Sequence, residues 1–317
     1  MGCHRGGCFI SRHYLSIDIG GTNIKSALID RSGNILSKTR TKTPKELSGF
    51  LAAIHEIVAE HQQDIRGIAF STPGKVDTHT GKISFGGALP FLNGVSLKDE
   101  LAEAFDLPVS IINDGKAAAL AELWLGNLQG VDHGAAITLG TGLGGGIILD
   151  GRLIEGAHFQ AGELSFMLNA SRTAESEKVD GLTVQQLYGF SGSAVAMIRQ
   201  AAEQLALADL SDGETVFDAI NQRDERVWPL FTAYCREIAC VILNVQSVID
   251  LSCYVIGGGI SAQDIVIEEI RRQYSQIQES LPLLKQTLTT PAIRACKFQN
   301  DANILGALYQ FFLLSES

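Results

Sequence analysis

Ile17-Asp18-Ile19-Gly20-Gly21-Thr22 decides how this chain is read, because a near copy, Ile137-Thr138-Leu139-Gly140-Thr141-Gly142, recurs further along. Each is an apolar run that enters a polar glycine turn. Each is followed by a second apolar run and an Asp-containing turn, Ala27-Leu28-Ile29-Asp30 and Ile147-Ile148-Leu149-Asp150. Strand, tight turn and returning strand predict a β-hairpin at both places. Glycine lets the turn backbone approach a ligand closely, and consecutive N–H groups there cradle phosphate oxygens. Two such hairpins predict two lobes, each with a phosphate loop, and an ATP-using phosphotransferase.

Composition agrees with that division. At 317 residues the chain exceeds the size, roughly 250–300 residues, at which single cores stop growing. Hydrophobic residues make up 45% and charged residues 19%, as in ordinary soluble globular proteins. A net charge of −10 argues against a broad nucleic-acid or anionic-membrane surface, which needs clustered Lys and Arg. No apolar run approaches the ~20 residues that span a bilayer, and Met1-Gly2-Cys3-His4-Arg5-Gly6-Gly7-Cys8 has no signal-peptide core, so the expected location is cytoplasmic. Residues 1–13 read as a disordered leader rather than as a metal cluster built on Cys3, His4, Cys8 and His13. None of the six cysteines forms a C-x-x-C pair. Cys235, Cys240 and Cys253 lie in apolar surroundings and read as reduced core residues.

Along the chain, 14–30 reads as a hairpin with a third strand near 33–41, and Lys45–Gln62 has helical spacing. A strand over 65–70 ends at Ser71-Thr72-Pro73-Gly74, a helix covers 97–105, and the buried strand 108–112 ends at Asn113-Asp114, where a helix follows. The second hairpin spans 134–154, and 166–182 reads as a polar loop. Helices dominate 191–250, the longest from about Glu225 to Ile249. A strand ending in Gly257-Gly258-Gly259, a helix over 262–279 and a closing helix over 301–314 complete the chain. The expected division is an N-terminal lobe of 14–115 plus 301–317 and a C-terminal lobe of 116–300.

Two other glycine-motif readings fall away. Gly140-Thr141-Gly142-Leu143-Gly144-Gly145 fits the dinucleotide fingerprint, but that motif needs a helix after it, and β-branched Ile147-Ile148 followed by Asp150-Gly151 favours a strand. The P-loop pattern is absent from the sequence.

Asp18 to Lys25, Thr72-Pro73-Gly74, Asn113-Asp114, Leu139 to Gly146 and Ile256-Gly257-Gly258-Gly259-Ile260 occur in the order seen in ROK-family sugar kinases. The resemblance covers about residues 14–312 and implies an α/β protein with a two-lobed actin/hexokinase-like ATPase fold of ribonuclease H-like lobes. It further implies ATP and Mg²⁺ as cofactors, a small-molecule sugar as partner and a homodimer. Asp18 resembles the carboxylate that holds Mg²⁺ through water, and Gly20, Gly21, Thr22, Asn23 and Lys25 resemble the rest of the first phosphate loop. Thr138, Gly140, Thr141 and Gly142 resemble the second loop, and Gly257, Gly258 and Gly259 the adenosine-binding turn. Gly74, Gly87, Asn113, Asp114 and Glu163 stand at sugar-binding positions.

Asp114 is the candidate catalytic base. It stands at the carboxyl end of a buried strand, where α/β sheets present ligands, and a carboxylate there accepts the proton of an attacking sugar hydroxyl. A helix N-cap is the competing reading of the same residue. Lys116, where many relatives carry Asn, reads as a solvated lysine rather than a phosphate contact.

The sequence departs from the family pattern twice. Ala161-Gly162-Glu163-Leu164 matches, but Ser165-Phe166 replaces the family's Gly-His, and 167–182 lacks the cysteines of the family's zinc loop, so no zinc is expected. Ala88, in Gly86-Gly87-Ala88-Leu89-Pro90, stands where many relatives use an Asn to contact the sugar. Both departures resemble the zinc-free β-glucoside kinases of the family. They suggest phosphorylation of O6 on a glucosyl unit, as in cellobiose. The alternatives are a monosaccharide kinase acting on glucose, fructose or N-acetylmannosamine, and a non-catalytic sugar sensor. The family's transcription regulators carry an N-terminal DNA-binding domain, for which the residues before Asp18 are too few.

Overall fold

Two five-stranded sheets, strung in the same order, carry this chain. The computed structural model describes residues 13–169 and 183–316, so Cys3, His4, Cys8 and most of the polar stretch 166–182 lie outside the described residues. The chain divides into two compact units, Met1–Ala117 with Asn303–Ser317, and Ala118–Ala302.

In the first unit, β1 (His13–Ile19), β2 (Asn23–Asp30) and β3 (Ile35–Lys42) form an antiparallel meander. Helix α1 (Leu47–His61) then crosses back to β4 (Ile65–Thr72), which pairs parallel with β1. A small hairpin of β5 (Lys75–Val76) and β6 (Ile83–Ser84) follows, then α2 (Leu97–Phe105) and β7 (Val109–Asn113), parallel to β4. The sheet order is β3-β2-β1-β4-β7. Alternation along β1 sorts its two faces. Leu15, Ile17 and Ile19 join Phe50 and Ile54 of α1 and Leu97 and Leu101 of α2 in one core. Ser16 and Asp18 lie on the other face, where the Ser16 hydroxyl donates to Ile304 O at 2.6 Å in the C-terminal helix, Ala302–Ser315.

The second unit repeats the plan. Strands β8 (Gly134–Leu139), β9 (Leu143–Leu149) and β10 (Arg152–Leu153) form the meander, and β11 (Cys253–Gly258) and β12 (Ala292–Ala295) add parallel strands in the order β10-β9-β8-β11-β12. Before it, α3 (Asp114–Leu125) leaves the end of β7. Four helices build the core on this sheet: α4 (Ala194–Gln204), α5 (Gly213–Asn221), α6 (Trp228–Ile249) and α7 (Asp264–Ser280). Met197, Phe217, Phe231, Ile238 and Ile242 meet Tyr254 and Ile256 there, with Ile270 and Tyr274. The copied hairpin of the sequence is thus a copied sheet topology.

Where the observed bounds differ from the sequence pattern, tertiary pairing or proline chemistry explains the shift. β4 continues through Ser71-Thr72 because Ser71 is paired with Asp18 and Thr72 with Asn113, which overrides their turn preference. α6 begins at Trp228 rather than Glu225 because Pro229 occupies its first turn, the position proline tolerates in a helix. At 166–169, Leu168 bridges to Leu187 and the buried Asn169 donates to Glu237 Oε2 at 2.6 Å, so this part of the polar stretch is tied down.

One buried carboxylate fastens the second unit. Glu122, on α3, is fully buried, and burial pushes its carboxyl above the usual range. Its oxygens accept N–H donors from Asn127 (2.8 Å), Lys297 (2.7 Å) and Phe298 (3.2 Å), so each backbone donor at that bend is satisfied.

Cys235, Cys253 and Cys296 are buried free thiols, and burial pushes the thiol pKa of all three up. The thiolate is the nucleophile, so all three should alkylate at least about tenfold more slowly in the native protein than in denaturant. Peptide mapping after timed iodoacetamide treatment measures this, and rapid native labelling at Cys235 would contradict the packing.

Candidate active site

The β1–β2 turn is built for close backbone approach. Gly20 N donates to Asn23 O at 3.0 Å, and Thr43, just past β3, braces the turn with its hydroxyl on Gly20 O (2.7 Å) and its N–H on Thr22 O (3.0 Å). Gly21 and Thr22 are exposed at the tip. Asp18, one residue from the end of β1, is 5% exposed. Its Oδ1 accepts from the Ser71 hydroxyl (2.6 Å) and from Asn303 Nδ2 (3.1 Å), and its Oδ2 faces Lys25 Nζ at 3.3 Å.

Three neighbouring donors therefore orient one carboxylate at the edge of a glycine turn. Neither Ser71 nor Asn303 was singled out from the sequence. An Asn at the head of the otherwise apolar Ala302–Leu308 run was the one available signal for Asn303. The donor set fits Mg²⁺ held through water: the cation binds one or two carboxylates plus substrate phosphates and keeps several waters.

Next to this turn the same unit gathers the sugar-side candidates. Gly74 has φ +93°, and a Cβ there would collide with Phe85 O; Gly87 has φ +58° and lies against Pro73. A Cβ on Gly21 would come to 3.0 Å from the Ala88 methyl, so the 86–89 turn adjoins the first glycine turn. Asn113, at the end of β7, donates from Nδ2 to Gly74 O at 2.9 Å and to Asp114 Oδ1 at 3.1 Å. Its Oδ1 accepts Lys116 N at 3.2 Å. That last bond settles the competing reading of Asp114. Asn113 caps α3, while Asp114 occupies the first helical position with Oδ1 on Gly115 N at 2.8 Å.

The solvated reading of Lys116 does not hold. Its exposure is 2%, because α3 starts at Asp114 and places Lys116 in the first turn of a helix whose next residues, Ala117 to Ala121, are all buried.

The second unit gathers the other candidates. Thr138 pairs with Gly257 and Leu139 with Gly258, so the second glycine turn and the Gly257–Gly259 turn leave adjacent parallel strands side by side. Gly258 has φ +95°, and a Cβ there would collide with Leu139 O. Gly140 and Gly259 differ: a Cβ at either would meet nothing within 4 Å. Their lack of a side chain leaves room rather than relieving a clash. Gly140 N donates to Gly142 O at 3.0 Å, which closes the turn, and Thr141 is exposed at its tip.

Glu163 lies in the segment 161–166, which is held against β9. A Cβ on Gly145 would come to 2.5 Å from Gly162 O, so the two backbones touch. Gly162 itself has φ +84°. Among the described residues no three His, Cys, Asp or Glu come together in a group able to hold a metal ion.

The ROK family profile matches residues 14–312. This chain belongs to the ROK family. A β-glucoside kinase of Listeria monocytogenes is 31% identical to it over 299 residues, 93% of this chain and 96% of that protein. The solved structure of a ROK family protein from Streptococcus pneumoniae in complex with sucrose superposes with a TM-score of 0.83 at 30% identity. It covers 96% of this chain and 99% of that one. A ROK family glucokinase from Streptomyces griseus, in complex with glucose and AMPPNP, has a TM-score of 0.77 at 26% identity, covering 93% and 97%. The fold is that of the ROK hexokinases and glucokinases. With sugar-kinase relatives along 93% of its length, the chain stands among the phosphotransferases that use an alcohol group as acceptor.

Proposed function

We propose that this ROK protein transfers the γ-phosphoryl group of ATP to O6 of a glucosyl unit, with a β-glucoside such as cellobiose as its substrate. The observation that carries the reading is Asp114. It is a carboxylate just past the carboxyl end of the parallel strand β7 that Asn113 relieves of capping and orients by a 3.1 Å hydrogen bond. Asp114 takes the proton of the attacking hydroxyl as the new P–O bond forms, while the β–γ bridge of ATP breaks towards ADP. The N–H groups of each glycine turn are donors for phosphate oxygens. Asp18, fixed by Ser71, Asn303 and Lys25, holds the cation side. Mg²⁺, when bound, neutralises charge that builds on the transferring group. Gly257 to Gly259 offer backbone against the nucleoside, and Gly259 leaves open space beside it.

The β-glucoside reading rests on Ala88. This residue offers no hydrogen-bonding side chain to the sugar, and such a wall tolerates a substituent that a polar wall would reject. The 31% identity to a β-glucoside kinase supports it. A glucose kinase is the second reading, favoured by the likeness to the glucose-bound S. griseus protein. The family resemblance also supports a homodimer, and no helix among the described residues is long and apolar enough to cross a membrane.

ADP release with Mg-ATP across cellobiose, gentiobiose, glucose, fructose, mannose and N-acetylmannosamine separates the readings. Cellobiose and gentiobiose are expected to give kcat/KM at least about tenfold above free glucose, a gap of ~1.4 kcal/mol in transition-state binding. Efficient use of glucose with no turnover of either disaccharide would replace the β-glucoside reading with the monosaccharide one.

A further inference from the structure

Ser165 is one of the residues at which the sequence leaves the family pattern, and its hydroxyl holds the strand that leaves the second glycine turn. Its Oγ accepts Leu143 N at 3.0 Å and donates to Leu143 O at 2.9 Å. Both backbone groups of the residue that follows Gly142 are thereby held by one hydroxyl. The ladder explains why Leu143 has them to offer. Leu143 lies opposite Leu139, and the neighbouring Gly140 N to Gly142 O bond makes 139/143 the pair whose N–H and C=O groups point away from each other. On its outer side Leu143 therefore needs a partner, and Ser165 supplies donor and acceptor together, as a strand would.

The opposite end of the turn is also held. Gly140 O accepts N–H groups from Ala194 (2.9 Å) and Val195 (3.4 Å) at the start of α4. Two glycines lie against the serine. A Cβ on Gly142 would reach 3.0 Å from Ser165 Oγ, and one on Gly189 would reach 2.9 Å from Ser165 Cβ.

We infer that Ser165 is a positioning residue for phosphoryl transfer: it clamps the Gly140–Gly142 turn in its nucleotide-binding shape and ties it to the segment that carries Glu163. The inference rests on the reading of that turn as a phosphate loop.

Three variants of the full-length protein test this: Ser165→Ala, Ser165→Thr, which keeps the hydroxyl, and Ser247→Ala as a control on the exposed face of α6. The first readout is amide exchange of a peptide spanning 139–145, measured without ligand. Exchange there is expected to quicken about tenfold in Ser165→Ala and to stay near wild type in the other two. The second readout is steady-state kinetics. Loss of two backbone hydrogen bonds is expected to raise KM for ATP roughly 5- to 30-fold in Ser165→Ala, with kcat changed less than about threefold and recovery in Ser165→Thr.

Unchanged exchange at 139–145 in Ser165→Ala overturns the clamp, and so does faster exchange spread evenly over the unit, which marks a plain packing role. A wild-type protein that turns over no sugar refutes the kinase reading instead, and ADP titration then reports on the phosphate loop separately. In each case the unliganded exchange result still decides the clamp.

Discussion

Asp114→Asn is expected to lower kcat by roughly 10²–10⁴-fold, the range for removal of a positioned general base, with folding and nucleotide affinity unchanged. The structure makes this a clean experiment. The N-terminal cap of α3 is Asn113, whose Oδ1 accepts Lys116 N, so the asparagine at 114 removes no cap. Its amide oxygen retains the hydrogen bonds that Asp114 Oδ1 accepts from Gly115 N and Asn113 Nδ2. Size, shape and those two contacts persist, while the negative charge and the proton-accepting power are lost.

Asn113→Ala is the contrasting change. It deletes the cap and the bond to Gly74 O, at a cost of ~1 kcal/mol in stability from the cap alone, and loosens Asp114 without altering its chemistry. Steady-state turnover and thermal unfolding of both variants give the comparison. An Asp114→Asn enzyme with wild-type kcat would assign the base to another residue.

What the sequence revealed, and what it concealed, divides along a physical line. The two hairpins were legible because strand alternation and turn chemistry are local. The apolar residues of β1 recur every second position, and the glycines mark the turn directly. The duplicated hairpin accounts for the antiparallel half of each sheet, and the parallel strands β4, β7, β11 and β12 come from later segments. Asp114 was legible as a candidate because Asn113-Asp114 ends a buried apolar run. Its separation from the capping role was not, since two adjacent residues that both favour N-caps are distinguished only by which side chain reaches Lys116 N.

The residues that hold Asp18 were hidden for a different reason. Asn303 is 285 positions away in sequence, and Ser71 looked like part of a turn until pairing with β1 extended β4 through it. Burial of Lys116 was likewise hidden, because a lysine in an alanine-rich turn reads as the exposed residue of the helix. Glycines were the hardest to sort. Gly140, Gly258 and Gly306 look alike in sequence, yet one leaves space, one takes a positive φ, and one admits a neighbouring backbone.

That last case carries the largest expected effect on stability, and one substitution made at two places exposes it. Gly49 and Gly306 both lie inside helices, where an alanine is intrinsically favoured over glycine by ~1 kcal/mol. At Gly49, on the exposed side of α1, the only neighbour of an added Cβ within 4 Å is the Pro44 Cβ at 3.4 Å, an ordinary contact. Gly49→Ala should stabilise the protein by up to ~1 kcal/mol.

At Gly306 the same methyl would fall inside the carbonyl of Ala117 and come to 2.9 Å from the Ala117 Cα. These are backbone atoms of α3, and no rotamer change can move them aside. The C-terminal helix and α3 must separate, with a cost expected at about 3–5 kcal/mol, at the upper end for single substitutions. Thermal unfolding of the two variants should therefore shift in opposite directions. Activity adds a second readout. Ala117 lies one turn from Asp114, and Asn303, one turn before Gly306, donates to Asp18. Separation of these helices displaces both carboxylates, and a misplacement near 1 Å costs about 10²-fold in rate. Gly306→Ala protein that is still folded at low temperature should accordingly lose kcat as well as stability. A fully active Gly306→Ala enzyme would mean that the two helices do not hold Asp18 and Asp114 in register.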